Sequence, residues 1–160
     1  MLETKSANSS NCLDGVKMNE QQLNSLLKTV SNYQGSFAVD ELDQVKLVHP
    51  TFLVVNLDER KSEGTHWIGL AIYNDIVYIC DTLGGVLPDN RQPVEWIQFL
   101  KLLLQHRQLI ITKQLSESLC GLFCVTFIKT MSQTNNFRDF ISLFSSNLST
   151  NDTIVKFLNK

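Results

Sequence analysis

The sequence predicts an α+β fold, with a central, mostly antiparallel sheet packed against a core helix. Three observations carry this. Thr51–Leu57 (TFLVVNL) is a β-branched, apolar run of strand length. His66–Tyr73 and Ile76–Asp81 are two more such runs, joined by Asn74-Asp75, a two-residue hairpin loop. Ser118 to Met131 is apolar for most of its length. That is too short for a membrane span, which needs about 18 apolar residues, so it predicts a buried helix. At 160 residues the chain is one domain's worth of protein.

The remaining elements follow in chain order. Residues 1–16 are rich in Ser, Asn and Thr without an apolar period, and read as a loose tail; residues 17–160 form the single domain. From Lys17 to Tyr33 the pattern is helical, with Leu23, Leu26, Leu27 and Val30 on one face and Asn19 as the N-cap. Gly35–Val39 is a short strand, and Asp40–Asp43 an acidic loop. Asp58–Gly64 is a charged loop, and Gly84-Gly85 ends the hairpin. Pro93–His106 reads as an amphipathic helix with Val94, Ile97, Leu100 and Leu104 inward and Pro near its first turn. Leu109–Thr112 is a fourth strand, and Phe137–Phe144 and Thr153–Leu158 are short helices.

Composition narrows the function. Apolar residues are 43% and charged residues 19%, which excludes disorder and fibrous folds. The net charge of −2 disfavours a protein that coats nucleic acid. The opening MLETKSANSS is polar, without a signal-peptide pattern, and predicts an intracellular, reduced protein. The Asn8, Asn147 and Asn151 acceptor triplets are then incidental, and no membrane association, metal or cofactor is expected.

Four cysteines in a reducing compartment each need a reason. Cys80 and Cys124 fall in apolar elements and read as packing; Cys12 lies in the tail and reads as inert. Cys120 is different. Ser116 or Ser118 can cap the helix that follows, which places Cys120 in its first turn, where orphan N–H groups and the positive dipole end favour a thiolate. Gly121 removes a side chain beside the sulfur and lets another backbone approach. Gln114, six residues upstream, can aim its amide at an oxyanion. No CxxC or HxxxH pair supports a zinc site.

The hairpin supplies the partners. With Asn74-Asp75 as the loop, alternation puts His66, Ile68, Leu70, Ile72, Val77, Ile79 and Asp81 on one face and Trp67, Ala71, Tyr73, Tyr78 and Cys80 on the other. His66 and Asp81 become diagonal neighbours at the open end of the aliphatic face. A carboxylate there is costly unless paired. It either pairs with the imidazole or caps the turn at Leu83–Gly85. His49 and His106 suggest no such partnership. The parts of a Cys–His–Asp nucleophilic site are present in the order His66, Asp81, Cys120.

These residues resemble a known pattern. GTHWIGLAIY, VYICDTLGG and QLSESLCGLFC are similar to the His-Trp, Asp/Glu and Gln-x5-Cys-Gly signature of the adenovirus protease (adenain) and desumoylating protease superfamily. Such enzymes also occur in adenovirus-like and Polinton/Maverick-type elements. The resemblance implies an adenain-like cysteine protease fold, with His66, Asp81, Gln114 and Cys120 as catalytic histidine, acid, oxyanion glutamine and nucleophile. It implies that Trp67 lines a narrow substrate channel suited to glycine-containing strands, and Gly121, which opens space beside the sulfur, is the second expected substrate-binding residue. It implies a monomeric endopeptidase of viral precursor (virion) proteins, located in the host nucleus and virion. No cysteine lies between Cys80 and Cys120, so an activating peptide, if used, is not disulfide-linked there. DNA as an activator is disfavoured by the charge. Competing functions are a deconjugating protease for SUMO or other ubiquitin-like modifiers, an acetyltransferase on the same triad, and a non-catalytic virion scaffold.

Overall fold

The computed structural model describes residues 18–60, 66–85 and 92–160. The expectation of a tail over residues 1–16, and most of the charged loop before His66, lie outside them. The described strands are β1 (Tyr33–Ala38), β2 (Thr51–Asn56), β3 (Trp67–Ile72), β4 (Ile76–Cys80) and β5 (Gln108–Ile111). They form one mixed sheet in sequence order, giving the α+β fold expected. The three central strands are antiparallel; both edge strands pair in parallel, β1 with β2 and β5 with β4. A parallel neighbour needs a crossover, and a helix supplies it between β4 and β5: α2 (Val94–Leu104).

The β3–β4 hairpin has the expected register, with Ile72 opposite Val77 and Gly69 opposite Cys80. Period-two alternation then sorts its side chains into two cores. Ile68, Leu70, Ile72, Val77 and Ile79 pack with Leu53 and Val55 of β2 against α2. Trp67, Ala71 and Cys80 pack on the opposite face against α3 (Cys120–Thr134). Because both faces are covered, β2 and β3 are buried along their whole length, which is why their sequence is apolar without alternation.

The helix α1 (Glu20–Leu27) starts where expected. Asn19 Oδ1 accepts the Gln22 N–H at 2.8 Å, and Gln22 Oε1 accepts the Asn19 N–H at 2.8 Å, a reciprocal capping box. The helix ends at Leu27, short of Tyr33, because Asn32 turns the chain at φ 67° into β1. The acidic stretch is not a loop but a 3-10 helix, Val39–Gln44, with Val39 and Leu42 buried beside α2. Glu41 accepts the Ala38 N–H at 3.0 Å and pairs with Arg60, which holds its carboxyl below the ordinary range.

The inward face of α2 differs from the expectation. Trp96, Phe99 and Leu103 are buried, whereas Val94 is 60% exposed and Leu104 39%. The helix carries two apolar stripes at helical spacing, and the stripe with two aromatic rings buries more surface. Leu100, between the stripes, packs against the core from a half-buried position. Two further helices, α4 (Phe137–Ile141) and α5 (Leu148–Leu158), pack on α3 through Phe140 and Val155. α5 begins five residues before Thr153, the expected start, because Asn147 caps it by accepting the Thr150 N–H. No helix among the described residues is long and apolar enough to cross a membrane.

Candidate active site

His66 precedes β3 and Asp81 follows β4, so both lie just past the last ladder pair, Gly69–Cys80. Here the two strand ends converge, and His66 Nε2 lies 2.8 Å from Asp81 Oδ1. His66 is 9% exposed and Asp81 6%. A carboxylate only accepts, so the Nε2–H donates and Nδ1 is the imidazole nitrogen left for proton exchange. The same Oδ1 also accepts the Leu83 N–H at 3.0 Å. Pairing with the histidine and capping the turn therefore happen together, on one oxygen. The Asp81 backbone is fixed by Thr112, whose Oγ1 accepts the Asp81 N–H at 3.0 Å and donates to the Asp81 carbonyl at 2.8 Å.

Cys120 is the first residue of α3 and is 2% exposed. Its Sγ accepts the Trp67 N–H at 3.3 Å. The sulfur is thus beside the peptide that follows His66. Neither serine caps the helix: the N-cap is Leu119, which has no side-chain cap, and Ser116 Oγ instead accepts the N–H groups of Ser118 and Leu119, each at 3.2 Å, in the loop just before it. Cys120 was expected as a reduced thiol. In this structure it is disulfide-bonded. Cys80 and Cys124 are free and fully buried. Burial and a hydrogen bond with Cys124 push the Cys80 thiol well up, so it stays protonated, as packing residues should.

Gln114 is exposed and pairs through a β-bridge with Leu83, on the strand end that carries Asp81. The approach is close: a Cβ on Gly84, at φ +73°, would lie 2.8 Å from the Gln114 nitrogen. Trp67 is 7% exposed, and its Nε1–H donates to the Met18 carbonyl at 3.0 Å. Gly121 faces the same methionine, since a Cβ there would meet Met18 Sδ at 2.9 Å. Trp67 and Gly121 are thus together, with Met18 filling the space between them. The basic residue Arg107 donates to the Tyr73 carbonyl and reaches His49 Nε2 at 3.4 Å, giving that histidine a partner the sequence did not suggest.

Sequence reasoning missed Thr112, Met18 and the α5 residues that hold the Cys120 loop. Thr112 is a strand-end residue like many others. Asn151 had appeared only as an incidental acceptor triplet.

No family model matches this chain, and no curated protein matches it. Its fold is similar to a solved structure, the central domain of the uncharacterized Lpg1148 protein from Legionella pneumophila. That likeness has a TM-score of 0.50 at 13% identity, over 88% of this chain and 92% of the other. It is a likeness of fold.

Proposed function

We propose that the chain is a cysteine endopeptidase that cleaves precursor polypeptides at glycine-containing sites. One observation carries this reading: a buried His66–Asp81 pair, 2.8 Å apart, stands at the strand ends where the Trp67 N–H touches Cys120 Sγ. Reduced Cys120 gives its proton to His66 Nδ1, and Asp81 holds and stabilises the imidazolium through Nε2. The thiolate adds to the scissile carbonyl. The negative oxygen is met by the Gln114 amide and the Cys120 N–H at the positive end of α3. His66 then protonates the leaving amine, and a thioester remains on Cys120. Water, losing a proton to His66, attacks the thioester; the acid product leaves and the thiol returns.

The resemblance to the adenovirus protease superfamily supports virion precursors as substrates and the host nucleus and virion as the place of action. The decisive experiment maps cleavage sites in precursor proteins encoded beside this chain, with reductant present. Cys120→Ala should lower the rate by about 10⁴-fold or more. Without reductant the disulfide should keep the enzyme silent, and under reduction iodoacetamide should label Cys120 before Cys80 and Cys124. Equal labelling of the three, or undiminished cleavage by Cys120→Ala, would sink the proposal. Preferential reaction with a ubiquitin-like vinyl-sulfone probe would move the substrate class to modifiers.

A further inference from the structure

The loop between β5 and α3 carries Gln114 and delivers Cys120, yet most of what fixes it comes from outside the motif. On one side the Thr82 carbonyl, next to Asp81, accepts the N–H groups of Leu115 at 2.9 Å and Ser116 at 3.3 Å. On the other side stands α5. Asn151 is fully buried, and its Nδ2 donates to the carbonyls of Leu115 at 3.1 Å and Ser145 at 2.9 Å, while its Oδ1 accepts the Ser145 N–H at 2.9 Å. The next residue, Asp152, accepts the Ser116 hydroxyl at 2.6 Å.

The hydroxyl geometry gives Asp152 a definite task. A serine hydroxyl has one proton and two lone pairs. Asp152 takes the proton in a short, charge-assisted bond. Both lone pairs then face the N–H groups of Ser118 and Leu119. Those amides sit directly before Cys120, so their direction sets the direction of the Cys120 N–H. The Leu115 carbonyl, held by Asn151, likewise fixes the backbone just after Gln114.

We infer that Asn151 and Asp152 on α5 are positioning residues: they latch the Leu115–Leu119 loop so that both oxyanion donors point at the substrate carbonyl. The inference rests on the peptidase reading and adds a region that the motif does not contain. Oxyanion donors act by being aimed before charge develops, so a small loss of aim appears in the chemical step and not in substrate binding.

The test compares Ser116→Ala, Asp152→Ala and Asp152→Asn, the last keeping an acceptor for the hydroxyl. With a glycine-containing peptide under reduction, Ser116→Ala and Asp152→Ala should lower kcat about 30-fold with KM changed less than about 3-fold, and Asp152→Asn should recover most of the loss. Alkylation of Cys120 by iodoacetamide needs no oxyanion and should change less than about 2-fold. Unchanged kcat in both alanine variants overturns the inference. So does a loss that Asp152→Asn fails to restore, or one matched by new alkylation of buried Cys80 and Cys124, which would report general loosening. If the wild type cleaves no glycine-containing peptide, the peptidase reading falls, and the latch is judged by hydrogen exchange. About 100-fold faster exchange at the Ser118 and Leu119 amides in Ser116→Ala, with α3 otherwise unchanged, upholds the latch; wild-type exchange there overturns it.

Discussion

The β3–β4 hairpin and the loop entering α3 both bring side chains of the proposed catalytic site to one end of the sheet, but they are built differently. The hairpin places His66 and Asp81 mainly by register: a two-residue turn sets the pairing, alternation puts both on one face, and Thr112 only pins the Asp81 backbone. The loop has no ladder of its own. Its shape is imposed by Thr82, by the Ser116 hydroxyl and by two residues of α5, 31 or more positions beyond Cys120 in the chain. A locally encoded arm and a tertiary arm therefore meet at one site. The first should tolerate change in distant elements, and the second should not.

The largest expected effect comes from the local arm. His66→Ala removes the proton acceptor and should cut peptide cleavage by about 10⁴-fold with the melting transition little changed; activity within tenfold of wild type would detach the hairpin from the chemistry. Next is the core beneath it. Phe99→Ala should cost about 3 kcal/mol in denaturant unfolding, while Val94→Ala on the exposed stripe should cost almost nothing. Equal costs would show that α2 faces the sheet as the sequence expected. Gly84→Ala strikes the contact between the two arms. It combines a left-handed backbone with a methyl group against the Gln114 nitrogen, and should cost about 2 kcal/mol while lowering kcat. A stability loss with kcat intact would mean the arms are independent.

The smallest effect lies away from both arms, at Arg60. The guanidinium keeps Glu41 below its ordinary range, so the pair adds stability above the unfolded carboxylate value and loses it as pH falls through the lowered folded value. Both groups are solvated. Arg60→Ala should therefore cost about 0.5 kcal/mol at neutral pH, and nothing once Glu41 is protonated in both states. A cost that persists in acid would assign the effect to packing of the arginine stem.

Much of the site was legible in one dimension because its chemistry coincides with strong local signals. Asn74-Asp75 announces the turn, and the turn fixes His66 opposite the Asp81 strand. The apolar run from Leu119 to Met131 announces a core helix, and its start places Cys120 in the first turn, although no serine caps it. What stayed hidden has weak local signals. The two stripes of α2 are equally periodic, and only burial distinguishes the one with Trp96 and Phe99. The edge strands pair in parallel because the α2 crossover, and the chain before β2, return in that direction. Asn151 and Asp152 are ordinary polar residues until α5 packs them on the loop.

The sequence by itself determined most of the elements and the hairpin register, and it singled out His66, Asp81, Gln114 and Cys120 as the candidate site. Those follow from interactions between residues near in the chain, where turn type and alternation leave few choices. Only the tertiary structure decided which face of α2 is buried, that Met18 lies between Trp67 and Gly121, and that α5 holds the loop before Cys120. Each of these depends on which distant surfaces exclude water from one another, and on which buried polar groups then find partners, neither of which is written in local spacing.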